Sequence, residues 1–332
     1  MNARLPHGRP LQDVALDADA RFEFAGGILL TATPAWVAKE KMLDSLSEWD
    51  RKAVQESPFC LIATYEAAAL GDPDPAWAGS EPKSIQDTKY ELCVLANLAL
   101  WLRRASPAHF VVVLHAPQFG DTPITQRVSR HSPLLCHPED VGNRVKATDI
   151  PVAVQLHQAL VGTTRDTSLW TAIRATWAGL QTNVEVVRYA LFWMALEALF
   201  GPEDAQEITF RLSQRIAFLR AENSTQAKQF FALAKKGYGF RSKIVHGRWK
   251  DDPESTTRMA EVEELVRRSF GCILTGAALR DTFSGKGREA YLDELSFPLL
   301  SRWSSGNLRR HGRGRAEGSS CRTIARRHLR RR

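Results

Sequence analysis

The second half of the chain repeats apolar residues at the spacing of a helix. In segment 167–180, Leu169, Ile173, Trp177 and Leu180 share one stripe. Segment 183–200 is apolar on nearly all sides, which predicts a central, buried helix, and Gly201 with Pro202 ends it. A helix over about 205–220 sets Ile208, Leu212, Ile216 and Leu219 at helical spacing. On another face, Glu207, Arg211 and Arg215 form an i, i+4 series. The pattern then predicts a helix over 225–235 that stops near Gly237, and a short helix that opens near Tyr238. Residues 256–280 give a further helix with Met259, Val262, Val266, Phe270 and Ile273 as its core stripe.

The first 150 residues mix two periodicities. Segments 21–33 (RFEFAGGILLTAT) and 109–115 (HFVVVLH) are rich in β-branched and aromatic residues, as strands are. Segment 87–103 reads as a helix with Leu92, Leu95, Leu98 and Leu102 near one face. Residues 71–82 are a loop dense in Pro and Gly, and 117–150 is irregular, which marks a boundary. The expected fold is mainly α. An α+β domain occupies 1–150, a helical bundle 151–300, and a disordered Arg-rich tail 301–332.

Charge changes the picture. The chain carries +8, but the tail holds eleven arginines against one acid, Glu317, for +10. Taking that +10 from the total leaves −2 on residues 1–300, so the body does not advertise a broad nucleic-acid surface and any RNA site there must be local. The tail is either a solvated segment or an RNA-binding one. The start of the chain lacks the charged and apolar regions of a secretory signal. The longest apolar runs, 93–102 and 190–200, fall short of the roughly 20 residues a spanning helix needs. The reading is a cytoplasmic protein with no membrane partner. The five cysteines are scattered and never spaced as CxxC, so neither a disulfide framework nor a metal site is expected, and no cofactor is implied. Phosphate-loop, dinucleotide, HExxH and GxSxG motifs are absent.

Candidate chemistry comes from segment 240–247, FRSKIVHG, in which Arg241 precedes His246 with four residues between. Comparable intervals occur at Arg104 with His109, Arg130 with His137 and Arg322 with His328. The first two contain Pro107 and Pro133, and the third lies in the tail. Only Arg241 and His246 are expected to open a helix inside a helical domain. The wider order ALFWMALEALFG (190–201), ITFRLSQRIAFL (208–219) and YGFRSKIVHG (238–247) resembles the Apea-like HEPN domain of the HEPN ribonuclease superfamily. That resemblance covers residues 151–300. The position after the arginine, often Asn, Asp or His in active HEPN toxins, is Ser242 here.

The resemblance implies a metal-independent endoribonuclease of the bacterial defence or toxin type. Histidine can take a proton from a ribose 2′-hydroxyl and return one later, and arginine offers a planar charged fork to phosphate oxygens. His246 would be the base or acid and Arg241 the clamp, giving a 2′,3′-cyclic phosphate and a 5′-hydroxyl. Five residues of helix turn through about 500°, so Arg241 and His246 point roughly 140° apart. A homodimer with a composite site follows, as HEPN domains pair, with an antitoxin or regulator as a further partner. Ser242, Lys243 and Glu197 are auxiliary candidates. Each has a plainer role open to it. Arg241 could be an ion-pair partner, His246 beside Gly247 a helix-end residue, Ser242 a cap and Lys243 a solvated charge. Glu197, inside an apolar helix, needs a partner that Arg215 or Arg241 could supply. Two other functions stay open: a non-catalytic HEPN domain that binds RNA, a nucleotide or a protein, and a structural dimerisation module.

Overall fold

The computed structural model describes residues 4–11, 14–17, 19–35, 47–66, 85–105, 114–115, 144–182, 184–204, 207–248 and 254–296. These residues are mainly helical, with a small, mostly antiparallel β component confined to the first of two compact units, 1–162 and 163–332. The expected loop at 71–82 and the tail at 301–332 lie outside the described residues, as do most of the irregular stretch 117–150 and part of the expected strand 109–115.

In the first unit, a five-stranded antiparallel sheet has the order β3-β4-β5-β1-β6. Its strands are β1 (Arg4–Leu11), β3 (Arg21–Phe24), β4 (Ile28–Ala32), β5 (Phe59–Glu66) and β6 (Leu114–His115). Two short strands, β2 (Val14–Ala15) and β7 (Val145–Lys146), pair separately in parallel. Segment 21–33 is thus a hairpin. Gly26 and Gly27 adopt φ of 72°, which reverses the chain between Phe24 and Ile28. A Cβ on Gly26 would lie 2.5 Å from Leu92 Cδ1, so glycine also lets the turn touch the helix behind it.

That helix, α2 (Ile85–Arg103), follows α1 (Glu48–Glu56) and is buried at every residue from 93 to 102. It lies against β4 and β5 and against α3 (Ile150–Val161), which leaves no face of 93–102 to solvent. Asp149 joins the end of α2 to the start of α3. Its carboxylate accepts from Arg104 and from Lys146 N–H (3.1 Å), and pairs with Arg103 at 3.1 Å. Burial opposes its ionisation, but these bonds and charges outweigh burial and hold Asp149 below the usual carboxylate value. On α3, His157 is fully buried, with Nε2 3.0 Å from Leu92 O and its ring edge-on to Phe24 at 5.4 Å. Burial pushes its imidazole down to about 4, against the hydrogen bond to Leu92.

Because α3 buries Ala153, Leu156 and Leu160 on these elements, it belongs to the first unit. The boundary falls at Gly162 rather than near 150.

The second unit contains α4 (Ser168–Gln181), α5 (Glu185–Phe200), α6 (Ile208–Arg220), α7 (Ser224–Val245), α8 (Ser255–Thr275), α9 (Ala277–Ser284) and α10 (Arg288–Ser296). Thr167 and Asn223 cap α4 and α7 by accepting from Trp170 N–H and Gln226 N–H. The centre is α5, which packs on α4, α6, α7 and α8. It is not covered all round, since Val187 and Met194 are 44% and 45% exposed. The expected stripes of α4, α6 and α8 face inward; Trp177 and Ile208 are half-buried and the remainder buried. At the end of α5, Arg215 donates to Phe200 O at 3.1 Å, and Arg288 donates to Leu199 O at 3.2 Å and Gly201 O at 2.9 Å. Two guanidiniums thus satisfy carbonyls that the helix end leaves without an N–H. Glu289 and Asp293 of α10 balance Arg215. Among the described residues, no helix is long and apolar enough to cross a membrane.

Candidate functional site

Arg241, Ser242 and Lys243 lie on α7, and His246 is its C-cap. The helix runs unbroken through Gly237, so the expected stop there, and the short helix opening at Tyr238, are corrected. The glycine serves close approach instead. A Cβ at position 237 would meet Trp193 Cζ2 at 2.6 Å, and Tyr189 Oη donates to Gly237 O at 3.0 Å. The Arg241 and His246 motif therefore closes a helix rather than opening one.

The closing geometry is specific. Gly247 has φ 67°, its N–H donates to Ile244 O (3.0 Å), and Arg248 N–H donates to Lys243 O (2.7 Å). These two bonds form a Schellman motif, which needs a left-handed residue that glycine adopts without strain. The His-Gly step of the sequence is thus in part a helix-stop signal. Ser242 is half-buried in the last turn and is no N-cap; its carbonyl accepts from His246 N–H at 3.1 Å.

Arg241 is the partner of Glu197 on α5. Its Nη2 lies 3.1 Å from Oε1 and donates to Oε2 at 3.2 Å, with both side chains about a quarter exposed. Arg215, the other cation considered for Glu197, is turned to α10 instead. Tyr238, one turn before Arg241, completes the cluster. The guanidinium stands 5.6 Å from its ring centre, and Trp193 meets that ring edge-on at 5.5 Å. Burial, then the charge of Glu197 and a hydrogen bond to it, push the Tyr238 phenol up to about 12. It is a neutral hydroxyl at physiological pH, able to donate to the carboxylate. Nothing in the FRSKIVHG segment alone points to Tyr238; its position three residues before Arg241, on the same helix face, is the available signal.

The Arg241 fork is only partly used. Nη2 alone reaches Glu197, and Nε is buried without a hydrogen-bond partner. Glu197 Oε1 and Trp193 Nε1 are likewise buried without one; Oε1 is within ion-pair distance of Nη2 but off the hydrogen-bonding direction. This leaves Nη1 of Arg241, but not the buried Nε, to donate to an oxyanion. His246 and Lys243 are exposed, and among the described residues no hydrogen bond or ion pair engages the His246 side chain. Arg241 turns toward α5, whereas His246 lies on the solvent side of the helix end. The structure brings Arg241, Glu197 and Tyr238 together, and it does not bring His246 to them within one chain.

Apolar side chains flank the pair. Val245, four residues after Arg241, is 55% exposed, and Met194, three residues before Glu197, stands out on α5 with Val187. Among the described residues, no three His, Cys, Asp or Glu side chains cluster as a metal site would require. Comparison with protein-family models, curated proteins and solved structures found no match to this chain.

Proposed function

We propose that the second unit is an HEPN-like, metal-independent endoribonuclease whose complete site forms between two copies of the chain. The carrying observation is the pre-positioned, half-engaged guanidinium of Arg241 with an exposed imidazole, His246, at the end of the same helix. His246 takes the proton of a ribose 2′-hydroxyl. The freed oxygen attacks phosphorus, and the bond to the 5′-oxygen breaks as His246 returns the proton to that oxygen. Arg241 donates to the phosphoryl oxygens as their charge grows. Glu197 and Tyr238 orient the guanidinium, Lys243 adds positive charge beside the helix end, and Ser242 contributes a hydroxyl one turn before His246. The exposed apolar side chains of α5 and α7 support a twofold seam beside the pair, where a second copy would bring its own Arg241 and His246 to the same cleft. The defence or toxin role, and a sensing role for the first unit, belong to this proposal through the resemblance alone.

A second reading takes support from the Schellman geometry and the ion pair. Arg241 would tie α7 to α5, His246 would end the helix, and the domain would bind without turnover. Incubating the protein with total RNA in EDTA, beside His246→Ala, separates the two. Cleavage by the wild type that the variant lacks is the expected result. Equal background in both would remove the catalytic reading and leave the binding one.

A further inference from the structure

The most unusual charge in the second unit lies away from the motif. Arg220, the last residue of α6, is 9% exposed. Its guanidinium carbon stands 4.3 Å from the ring centre of Phe230 on α7. Among the described residues, no hydrogen bond or ion pair reaches that guanidinium. Among the described residues, the other buried arginines of this unit donate to carbonyls or pair with carboxylates: Arg188 to Thr182 O and Glu263, Arg215 to Phe200 O, Glu289 and Asp293, and Arg288 to Leu199 O and Gly201 O.

Its surroundings add positive charge. Arg267 and Arg268 on α8 are close enough to act on Arg220 electrostatically, and both are bonded to Glu264, a carboxylate that also acts on it. Burial, then the charge of Arg268, push the Arg220 guanidinium down to about 10, with Glu264 opposing. At neutral pH it stays charged, and that charge is poorly compensated. The negative end of α6 supplies only about half a unit charge. Asn223 then opens α7, whose first turn carries no acidic residue, so a positive helix end follows three residues later. Holding a guanidinium largely out of water while Arg267 and Arg268 share the Glu264 carboxylate that acts on it is costly. A ligand that supplies the anion recovers part of that cost.

We infer that Arg220, with Arg267 and Arg268, forms a binding site for a phosphate-class oxyanion, separate in its residues from the Arg241 and His246 motif. The planar fork suits phosphate oxygens, and the Phe230 ring lies within cation–π distance of the guanidinium. The same chemistry is offered by a small phosphate ligand and by a nucleic-acid backbone.

The test uses the full chain, with pyrophosphate and with a short single-stranded RNA bearing 2′-O-methyl riboses, which cannot be cleaved by 2′-oxygen attack. Affinity is read by calorimetry, and the thermal midpoint at matched ionic strength. Arg220→Met keeps an unbranched stem on Phe230 and removes the charge. The arginines of 301–332 are common to wild type and variant, so the difference belongs to Arg220. Pyrophosphate is expected to raise the midpoint of the wild type, and the variant to weaken binding about tenfold. Loss confined to RNA assigns the site to a backbone phosphate, and loss confined to pyrophosphate to a small ligand; both uphold it. If Arg220→Met folds poorly, Arg268→Ala, at a position 61% exposed, carries the test with a smaller loss in the same direction. Equal affinity and equal midpoint shift in wild type and variants overturn the inference. RNA cleavage is not the readout, so failure here is distinct from failure of the ribonuclease proposal.

Discussion

Arg241 places a single guanidinium nitrogen 3.1 Å and 3.2 Å from the two carboxylate oxygens of Glu197, tying the last turns of α7 to the last turn of α5. Both side chains are partly exposed, so water screens the attraction and the pair contributes little to stability. In a double-mutant cycle with Arg241→Ala and Glu197→Ala, urea denaturation should give a coupling of about 0.5–1 kcal/mol. Strict additivity would mean that the two side chains do not hold each other. Activity should fall much further than stability, because the guanidinium is oriented through this contact.

Glycine at 237 and glycine at 239 should respond to alanine in opposite directions. Alanine ordinarily stabilises a helix interior by about 0.5–1 kcal/mol relative to glycine. At 239 nothing lies within 4 Å of the added Cβ, so Gly239→Ala should gain that amount. At 237 the Cβ meets Trp193 at 2.6 Å, and both rings that would have to move, Trp193 and Tyr189, are buried. Gly237→Ala should therefore lose about 1–3 kcal/mol by chemical denaturation. A gain at 237 would show that α5 and α7 do not approach this closely.

Gly247 stands at φ 67° with no neighbour near its Cβ position, so the cost of replacing it is conformational. Gly247→Ala should destabilise by about 1 kcal/mol and fray the last turn of α7, where Arg241 and His246 lie. Faster amide hydrogen exchange at residues 243–248 is the expected sign. Unchanged exchange and stability would contradict the Schellman assignment.

His157 should make the first unit sensitive to mild acid. Its folded-state value, about 4, is below its ordinary value of 6.5, so the unfolded chain takes up the proton first as pH falls. The neutral form therefore contributes stability that is complete above about pH 6.5 and is lost progressively toward 4, by about 3 kcal/mol in all. Asp149, held low, loses its share only below the usual carboxylate value of 3.8, in a separate window. Urea denaturation at about pH 7 and about pH 5 should show the drop in wild type, and His157→Leu should flatten it. An equal drop in the variant would assign it to other groups.

The helical order of the second unit was legible because burial leaves a periodic trace. The stripes of α4, α6 and α8 face the core, and Gly201 with Pro202 ends α5 as its chemistry requires. Single residues with two possible uses are not legible in this way. Gly237 carries the signal of a helix stop, but its use is to admit Trp193, which lies 44 positions away in sequence. Partner choice was equally hidden: Arg215 reaches Glu289 across 74 positions, and no local pattern says that it, rather than Arg241, would leave Glu197. Composition does not register that Asp149 and His157 join α3 to α2, through Arg103 and Leu92, and so carry the first unit to Gly162.

On the proposed mechanism Arg241, held by Glu197, and the exposed His246 work together across two copies of the chain. Mixing Arg241→Ala with His246→Ala protein, after dissociation and reassociation, tests it most directly. Each variant alone should be inactive on RNA in EDTA. Random reassociation should restore about a quarter of the wild-type rate, since half the dimers are mixed and each mixed dimer carries one intact pairing. If the mixture stays as inactive as its components while wild-type protein treated the same way cleaves RNA, the composite site is wrong.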